Sequence, residues 1–378
     1  MRPPLFRRGE VRFRSISARR RYAAWIAAAA AWVAALSAHA PAWPAAKAAC
    51  PPTRAPAAPD APEELTRYHF AQRLMGMTFE IVLYAPSEEA ANRAAEAAFR
   101  RIRALNQVFS DYEPESELMR LCRTAGSGQA VPVSAELFAV LHRAERYSQA
   151  TDGAFDVSVG PLVRLWRTAR KSKTLPAAEA REAARKLVDY RRIRLDEKQR
   201  TVELLQAGMQ LDLGGIAVGY ACDAAIDAAR GEGITRILVD GSGDISAGDP
   251  PPGREGWTIG VAPLEPEGPP SRRLRLKNAS VSTSGDAFQF VEIEGVRYSH
   301  IVDPKTGLGV AGRRSVTVLA PDGMAADALA TAIAILGPER GRRLAESSRN
   351  VEFLFVTGSD SGVETVESPG FSSHLLQD

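Results

Sequence analysis

Cysteine is scarce in this sequence, with three residues in 378, and histidine is nearly as scarce, with five. Cys50, Cys122 and Cys222 are an odd number at wide, irregular spacing, a pattern that predicts neither a disulfide framework nor a zinc site. Beyond the N-terminal segment the chain has no apolar run long enough to span a membrane. The fold must therefore be stabilised by an ordinary apolar core, for which the 45% hydrophobic content is sufficient.

Acidic residues are almost absent from the first 48 positions, which contain nine basic side chains and one acid, Glu10. The whole chain has 48 basic and 45 acidic residues, so 39 basic and 44 acidic residues remain in 49–378. A mildly acidic body is unsuited to many phosphate contacts along a nucleic-acid backbone. The sequence therefore predicts no nucleic-acid partner.

The N-terminal segment has the order of a bacterial export signal. A basic stretch (2–21) precedes 14 apolar residues (23–36), and residues 46–48 read Ala-Lys-Ala, a cleavage site before Ala49. We predict a signal segment at 1–48 and export to the periplasm, by either the general or the twin-arginine route. An uncut signal anchor, or a lipid on Cys50, would instead hold the protein at the inner membrane.

Five proline residues interspersed with alanine mark 49–64 as a linker, and a folded domain is predicted over 65–378. Helices and strands alternate there without a sustained βαβ repeat, which favours an α+β fold over a doubly wound sheet. Predicted helices cover 88–109, 135–149, 176–189, 216–230 and 324–336. Predicted strands cover 78–84, 209–213, 237–240, 257–261, 288–293, 296–302, 315–320 and 351–356.

Two glycine-rich segments follow predicted strands. Gly214 and Gly215 precede a helix, where free backbone N–H groups can bind an anion, although a plain tight turn explains the pair equally well. Residues 240–244 read Asp-Gly-Ser-Gly-Asp, which suits a ribose, a phosphate, a metal or an ordinary hairpin turn. Both alternatives stay open for each segment.

His300 lies on a predicted strand that enters the turn Asp303-Pro304-Lys305-Thr306-Gly307. Imidazole is the side chain whose ordinary pKa suits proton transfer near neutral pH. A lone histidine is more often structural, so composition alone does not assign His300 a role.

The predicted helix 324–336 is apolar on almost every face and should be buried. Asp327 and Thr331 nevertheless share one face, and Asp327 lies too far from the predicted cap, Asp322, to be explained by capping. A hard cation with oxygen ligands would satisfy both side chains. The alternatives are a buried ion pair for Asp327 and a hydrogen bond from Thr331 to the carbonyl of residue 327.

Taken together, these segments resemble the ApbE-type FAD:protein FMN transferases. The resemblance extends over about residues 74–356 and rests on short blocks in the family's order. The blocks are 75–76, 110–112 with 116–118, 152–156 with 159–162, 212–217, 282–285, 299–300 with 303–307, and 326–331.

The resemblance implies an ApbE-like fold, with mixed, largely antiparallel sheets and flanking helices, and it implies three groups of site residues. Those expected at the FAD site are Met75, Tyr112, Ala154, Phe155, Asp156, Asp212, Gly215, Val218 and Ser284. Those expected to hold Mg²⁺ are Asp327, Thr331 and the backbone carbonyl of Ala217. The catalytic candidates are His300 and, in reserve, Asp303. At Val218 the family usually has a polar residue, often Lys, so the sequence departs from the pattern there.

The implied reaction moves FMN from FAD to a Ser or Thr hydroxyl on a flavin-accepting domain of a membrane-associated redox protein, and releases AMP. A divalent ion and backbone donors suit the charge that develops on phosphoryl oxygens. Three other functions would use the same residues differently: a periplasmic flavin-binding lipoprotein without activity, an FAD pyrophosphatase, and a metal-dependent adhesion or scaffold module.

Overall fold

Strands with alternating buried and exposed side chains build the central sheet of the domain. Along Met77–Ala85, for example, Phe79, Ile81 and Leu83 are fully buried and the residues between them are more exposed. The computed structural model describes residues 64–378 apart from 263, 265–271, 287–288, 360–361 and 377–378. The predicted signal segment, and the predicted linker except for its last residue, lie outside the described residues.

The strands of the described residues are β1 (Thr66–Leu74), β2 (Met77–Ala85), β3 (Val131–Pro132), β4 (Ile193–Asp196), β5 (Thr201–Leu204), β6 (Ile237–Asp240), β7 (Asp244–Ala247), β8 (Trp257–Val261), β9 (Arg272–Leu276), β10 (Ala279–Gly285), β11 (Phe290–Ile293), β12 (Val296–Val302), β13 (Gly309–Ala311), β14 (Arg313–Ala320), β15 (Glu352–Ser359) and β16 (Gly362–Glu367). The helices are α1 (Glu88–Phe109), α2 (Glu117–Cys122), α3 (Ala135–Ala150), α4 (Gly160–Ser172), α5 (Ala178–Arg185), α6 (Ala217–Gly231), α7 (Gly323–Leu336) and α8 (Pro338–Glu346).

Eight strands form the central sheet in the order β1-β2-β6-β7-β10-β14-β15-β16, and each neighbouring pair is antiparallel. Helices α1, α6 and α7 pack together, and α6 and α7 also pack on strands of this sheet. Their apolar residues and those of the sheet form one large cluster, which we call the main core; Phe79, Ile102, Cys222, Leu329 and Phe353 are among its buried members. The predicted α+β fold with largely antiparallel sheets is confirmed.

A smaller sheet, β11-β12-β13, packs against α4. We call its apolar cluster the small core; its buried residues are Leu162, Trp166, Ala169, Ala184, Val291, Ile293 and Val302. The Trp166 indole N–H also donates to the Gly307 carbonyl at 2.9 Å, which fixes the turn after β12. Val302 of β12 is buried in the small core and its neighbour Ile301 in the main core, so β12, which carries His300, contacts both cores.

Local signals placed several elements correctly and others wrongly. The hairpin β11–β12 turns at Glu294-Gly295 as predicted, with both residues at positive φ. Residues 209–213, predicted as a strand, form none, because their pairing is limited to an isolated bridge between Gln210 and Val159 and a bond from the Asp212 N–H to the Val157 carbonyl at 2.8 Å. Helix α5 is shorter than the predicted 176–189. Among the described residues, no helix is both long and apolar enough to cross a membrane.

Helices α6 and α7 cross with their backbones in contact. A methyl group on Gly219 would lie 2.0 Å from the Gly323 carbonyl oxygen, and one on Gly323 would lie 2.2 Å from the Gly219 carbonyl oxygen. These distances leave no space for a side chain at either position. The Gly219 N–H also donates to Asp327 Oδ2 at 3.3 Å, so the crossing sets the position of that carboxylate.

Gly219→Ala is therefore expected to lower the free energy of unfolding by about 1–3 kcal/mol, because the added methyl forces the two helices apart. Urea denaturation measures the change. Gly231→Ala is the matched control, since it lies in the same helix and a methyl there would meet no atom within 4 Å. Equal stability of the two variants would contradict the close packing described here.

Candidate active site

A cavity of about 730 Å³ lies between the two cores. It is lined by residues from the β1–β2 turn, the end of α1 with its following loop, the loop before α4, the glycine pair before α6, and helices α4, α6 and α7. Eleven of the residues predicted from the sequence line it: Met75, Tyr112, Ala154, Phe155, Asp156, Asp212, Gly215, Ala217, Val218, His300 and Thr331. Positions more than 250 residues apart are thus brought together, and the volume is in the range of small-molecule sites.

Asp327 does not line the cavity, but it lies one helical turn before Thr331, which does, and it is only 4% exposed. Its Oδ2 accepts the Gly219 N–H, and among the described residues no cationic side chain is within ion-pair distance of it. Burial, and then the nearby charge of Asp244, raise the pKa of the Asp327 carboxyl well above its ordinary value. The buried ion pair considered from the sequence is therefore not observed in the described part of the chain.

Thr331 lies one turn further along α7 and lines the cavity. Its Oγ1 is 3.5 Å from Ser284 Oγ, which places Ser284 of β10 beside the cavity rather than in its lining. A methyl group on Gly215 would lie 3.0 Å from Thr331 Oγ1, so the glycine pair brings backbone close to this hydroxyl. The described residues contain no hydrogen bond from Thr331 to the carbonyl of residue 327.

The oxygen atoms at this position suit magnesium. Within residues 64–378 as described, no three His, Cys, Asp or Glu side chains are grouped to hold a metal. Mg²⁺ commonly takes only one or two carboxylates from the protein and keeps waters and substrate phosphates as its other ligands. One buried carboxylate, one hydroxyl and a nearby helix-start carbonyl match that requirement.

The start of α7, which carries Asp327, is held by three acidic and basic side chains. Asp322 caps the helix by accepting the Ala325 N–H at 2.9 Å, and Arg143 of α3 donates to Asp322 at 2.5 Å. Asp223 of α6 accepts the Gly323 N–H at 2.7 Å. Burial raises the pKa of Asp223 to about 6, although hydrogen bonds from the Ser246 hydroxyl and the Gly323 N–H oppose the shift. Asp322 was predicted from the sequence as the helix cap, whereas Asp223 was not predicted.

Arg167 of α4 joins two carboxylates at the cavity. Its guanidinium donates to Asp111 and, at 3.0 Å, to Asp212, and it stacks 4.2 Å from the centre of the Tyr112 ring. Tyr112 is 71% exposed, so one face of the ring is free for a ligand. Burial, and then the charge of Asp111, raise the pKa of Asp212 in spite of Arg167. Arg167 was not predicted from the sequence, because helix α4 was not predicted.

Asp156 lines the cavity, but its carboxylate organises the local loop. Oδ1 accepts from the backbone N–H and hydroxyl of Ser158, and Oδ2 accepts the Tyr190 N–H at 3.0 Å.

Val218 is 5% exposed and packs under Gly241, in the turn between β6 and β7. The segment 240–244 is thus a hairpin turn, as one of its two interpretations predicted.

His300 is half-buried on β12, and its Nδ1 is 3.2 Å from the Gln289 carbonyl oxygen. A carbonyl only accepts hydrogen bonds, so Nδ1 carries the proton and Nε2 is the basic nitrogen of the neutral ring. Burial lowers the pKa of His300, which keeps the ring neutral near pH 7.

Asp303 does not line the cavity, whereas its neighbour Pro304 does. The Asp303 carboxylate accepts the Lys305 N–H at 2.9 Å and the Thr306 hydroxyl at 3.0 Å. These bonds are those of a turn residue, so His300 is the better placed of the two catalytic candidates.

Residues 75–355 match the family described as the ApbE family. A Treponema pallidum protein named FAD:protein FMN transferase is 33% identical over 307 residues, which are 76% of this chain and 84% of that protein. A Klebsiella pneumoniae protein of the same name is 31% identical, over 77% and 89% of the two chains. The solved structure of the flavin transferase ApbE from Vibrio cholerae has a TM-score of 0.73 and 29% identity, and the match covers 82% of this chain and all of that one.

Proposed function

This chain belongs to the ApbE family, and we propose that it transfers FMN from FAD to a hydroxyl side chain of another protein and releases AMP. The observation that supports this most strongly is a single cavity that has a neutral histidine in its lining and, one helical turn from the lining residue Thr331, a buried carboxylate with no cationic partner among the described residues. Flavin transfer is the activity named for the relatives, and the cavity has room for a flavin nucleotide.

We further propose that Mg²⁺ is held by Asp327, Thr331 and the carbonyl of Ala217. When bound, the ion neutralises charge on the phosphoryl oxygens of FAD. The chain contributes the buried setting: burial, and then the charge of Asp244, raise the pKa of Asp327, and a bound cation would favour its charged form.

His300 is proposed as the general base. A Ser or Thr hydroxyl is a weak nucleophile near neutral pH, so its proton must be removed as the new phosphorus–oxygen bond forms. With Nδ1 bonded to the Gln289 carbonyl, Nε2 is available to accept that proton.

The Tyr112 ring is exposed, and Arg167 stacks on one of its faces. The other face suits stacking of a flavin or adenine ring.

One assay tests the function directly. The full chain is incubated with FAD, Mg²⁺ and a purified flavin-accepting domain, and covalent flavin fluorescence on the acceptor and free AMP are measured. Covalent flavin with an equal amount of AMP is the expected result. AMP with free FMN would indicate a pyrophosphatase, and FAD binding without either product would indicate a flavin-binding protein; both outcomes contradict the proposal.

The protein is proposed to act in the periplasm on an acceptor at the inner membrane. The support is the basic stretch, the short apolar run and the cleavage site before Ala49. N-terminal sequencing of the protein from the native envelope should begin at or near Ala49, or at a lipidated Cys50. Protein recovered from the cytoplasm with Met1 at its start would contradict export.

A further inference from the structure

The charged side chains that line the cavity are unequal in sign. Four are carboxylates and two are guanidinium groups: Asp111, Glu113, Asp156 and Asp212, against Arg167 and Arg170. The pyrophosphate of FAD is an anion, so this excess of carboxylates opposes its entry unless cations lie where the phosphates bind.

The positive charge of Arg167 is already balanced by carboxylates, so this side chain attracts a phosphate only weakly. Its two terminal nitrogens already donate to the carboxylates of Asp111 and Asp212, and its face lies on the Tyr112 ring. Its guanidinium is therefore matched by two negative charges before any ligand binds.

Arg170 lies one turn further along α4 and is in a different position. Within the described part of the chain, no carboxylate is within ion-pair distance of Arg170, and its Nη1 makes only a long bond, 3.4 Å, to the neutral amide oxygen Gln289 Oε1. The backbone carbonyl of Gln289 is the one that binds His300 Nδ1. Arg170 and His300 thus contact the same residue and line the same part of the cavity.

We infer that Arg170 binds a phosphate oxygen of FAD on the side of the pyrophosphate that faces His300. This inference rests on the proposed function, because FAD is taken as the substrate. A guanidinium is well suited to phosphate, since its N–H groups form charge-assisted hydrogen bonds with two oxygens at once. Breaking the long bond to Gln289 costs little, and the base is then next to the phosphorus that the acceptor hydroxyl attacks.

The inference is tested by measuring the affinity of the full chain for FAD. Binding is monitored by the change in flavin fluorescence, with no acceptor present. Arg170→Gln should weaken FAD binding roughly 10- to 100-fold, the scale for one lost charge-assisted hydrogen bond. Arg170→Lys, which keeps the charge without the paired donors, should lose less. Lys171→Gln is the matched control: Lys171 is on the same helix, is exposed and does not line the cavity, so its replacement should leave the affinity unchanged.

Unchanged FAD affinity in Arg170→Gln would overturn the inference, even if transfer slowed, because it would mean that Arg170 acts only through Gln289. Riboflavin has the same ring without a phosphate, and an equal loss of riboflavin affinity would also overturn it. Failure of the proposed function has a different signature: the wild-type protein would transfer no FMN to an acceptor, whatever the affinities of the variants.

Discussion

Asp327→Asn is expected to abolish magnesium-dependent FMN transfer without weakening the fold. The loss should be on the order of 1000-fold or more, because a metal ion supplies several kcal/mol of charge stabilisation in the transition state. The amide can still accept the Gly219 N–H, so the crossing of α6 and α7 is preserved. Transfer is measured at saturating FAD over a range of Mg²⁺ concentrations.

The stability of the same variant separates a metal site from a structural role. The folded-state pKa of Asp327 is raised above its unfolded value, so at neutral pH the buried carboxyl opposes folding and its removal should leave stability unchanged or higher. Mg²⁺ should raise the Tm of the wild type and not that of Asp327→Asn, since a ligand stabilises only the state that binds it.

Asp322→Ala is the control for this experiment, because Asp322 lies at the start of the same helix and is not a proposed metal ligand. Losing the cap should cost about 0.5–2 kcal/mol of stability while the effect of Mg²⁺ on Tm persists. If Asp327→Asn instead lost roughly 3–5 kcal/mol and kept its magnesium-dependent activity, Asp327 would be one partner of a buried charge pair.

His300→Asn is expected to slow FMN transfer at least about 100-fold while FAD binding is unchanged, since this is the usual scale for losing a general base. The wild-type rate should rise with pH as His300 loses its proton and then level off. Because burial lowers the pKa of His300, this rise should be centred below about 6.5, the ordinary value for histidine. The variant should lack this pH dependence.

His142→Asn serves as the control, because His142 is a half-buried residue of α3 that pairs with Glu197 at 3.1 Å and does not line the cavity. Its rate and pH profile should match those of the wild type. If His300→Asn transferred FMN within a few-fold of the wild-type rate, the base would have to be another group, with Asp303 the next to test.

The sequence predicted those parts of the fold that carry local signals. Ser87 and Asp322 cap α1 and α7 where expected, each accepting a backbone N–H of the first turn. Residues 209–213 were predicted wrongly because an apolar run indicates burial, not pairing. That segment is buried against α2, where the Leu211 N–H is 3.3 Å from Cys122 Sγ.

The candidate site could be predicted from the sequence where a charged residue stands in a segment that is otherwise apolar. Asp327 in an apolar helix is such a case, and the resemblance to a family supplied most of the rest. Arg167 and Arg170 were missed with α4, although Pro161 at the helix start and the apolar spacing of Leu162, Trp166 and Ala169 indicate a helix there. No local pattern shows that Arg167 joins Asp111 and Asp212, because the three residues meet only through the tertiary fold.

The two chemical halves of the site are connected by one strand that contacts both cores. Asp327 and Thr331 are on α7 in the main core, whereas His300 is on β12. Val302 of β12 is buried in the small core, and its neighbour Ile301 is buried in the main core. The distance from the base to the metal ligands therefore depends on the packing of Ile301, and a smaller side chain there would misalign the two halves while leaving every site residue in place.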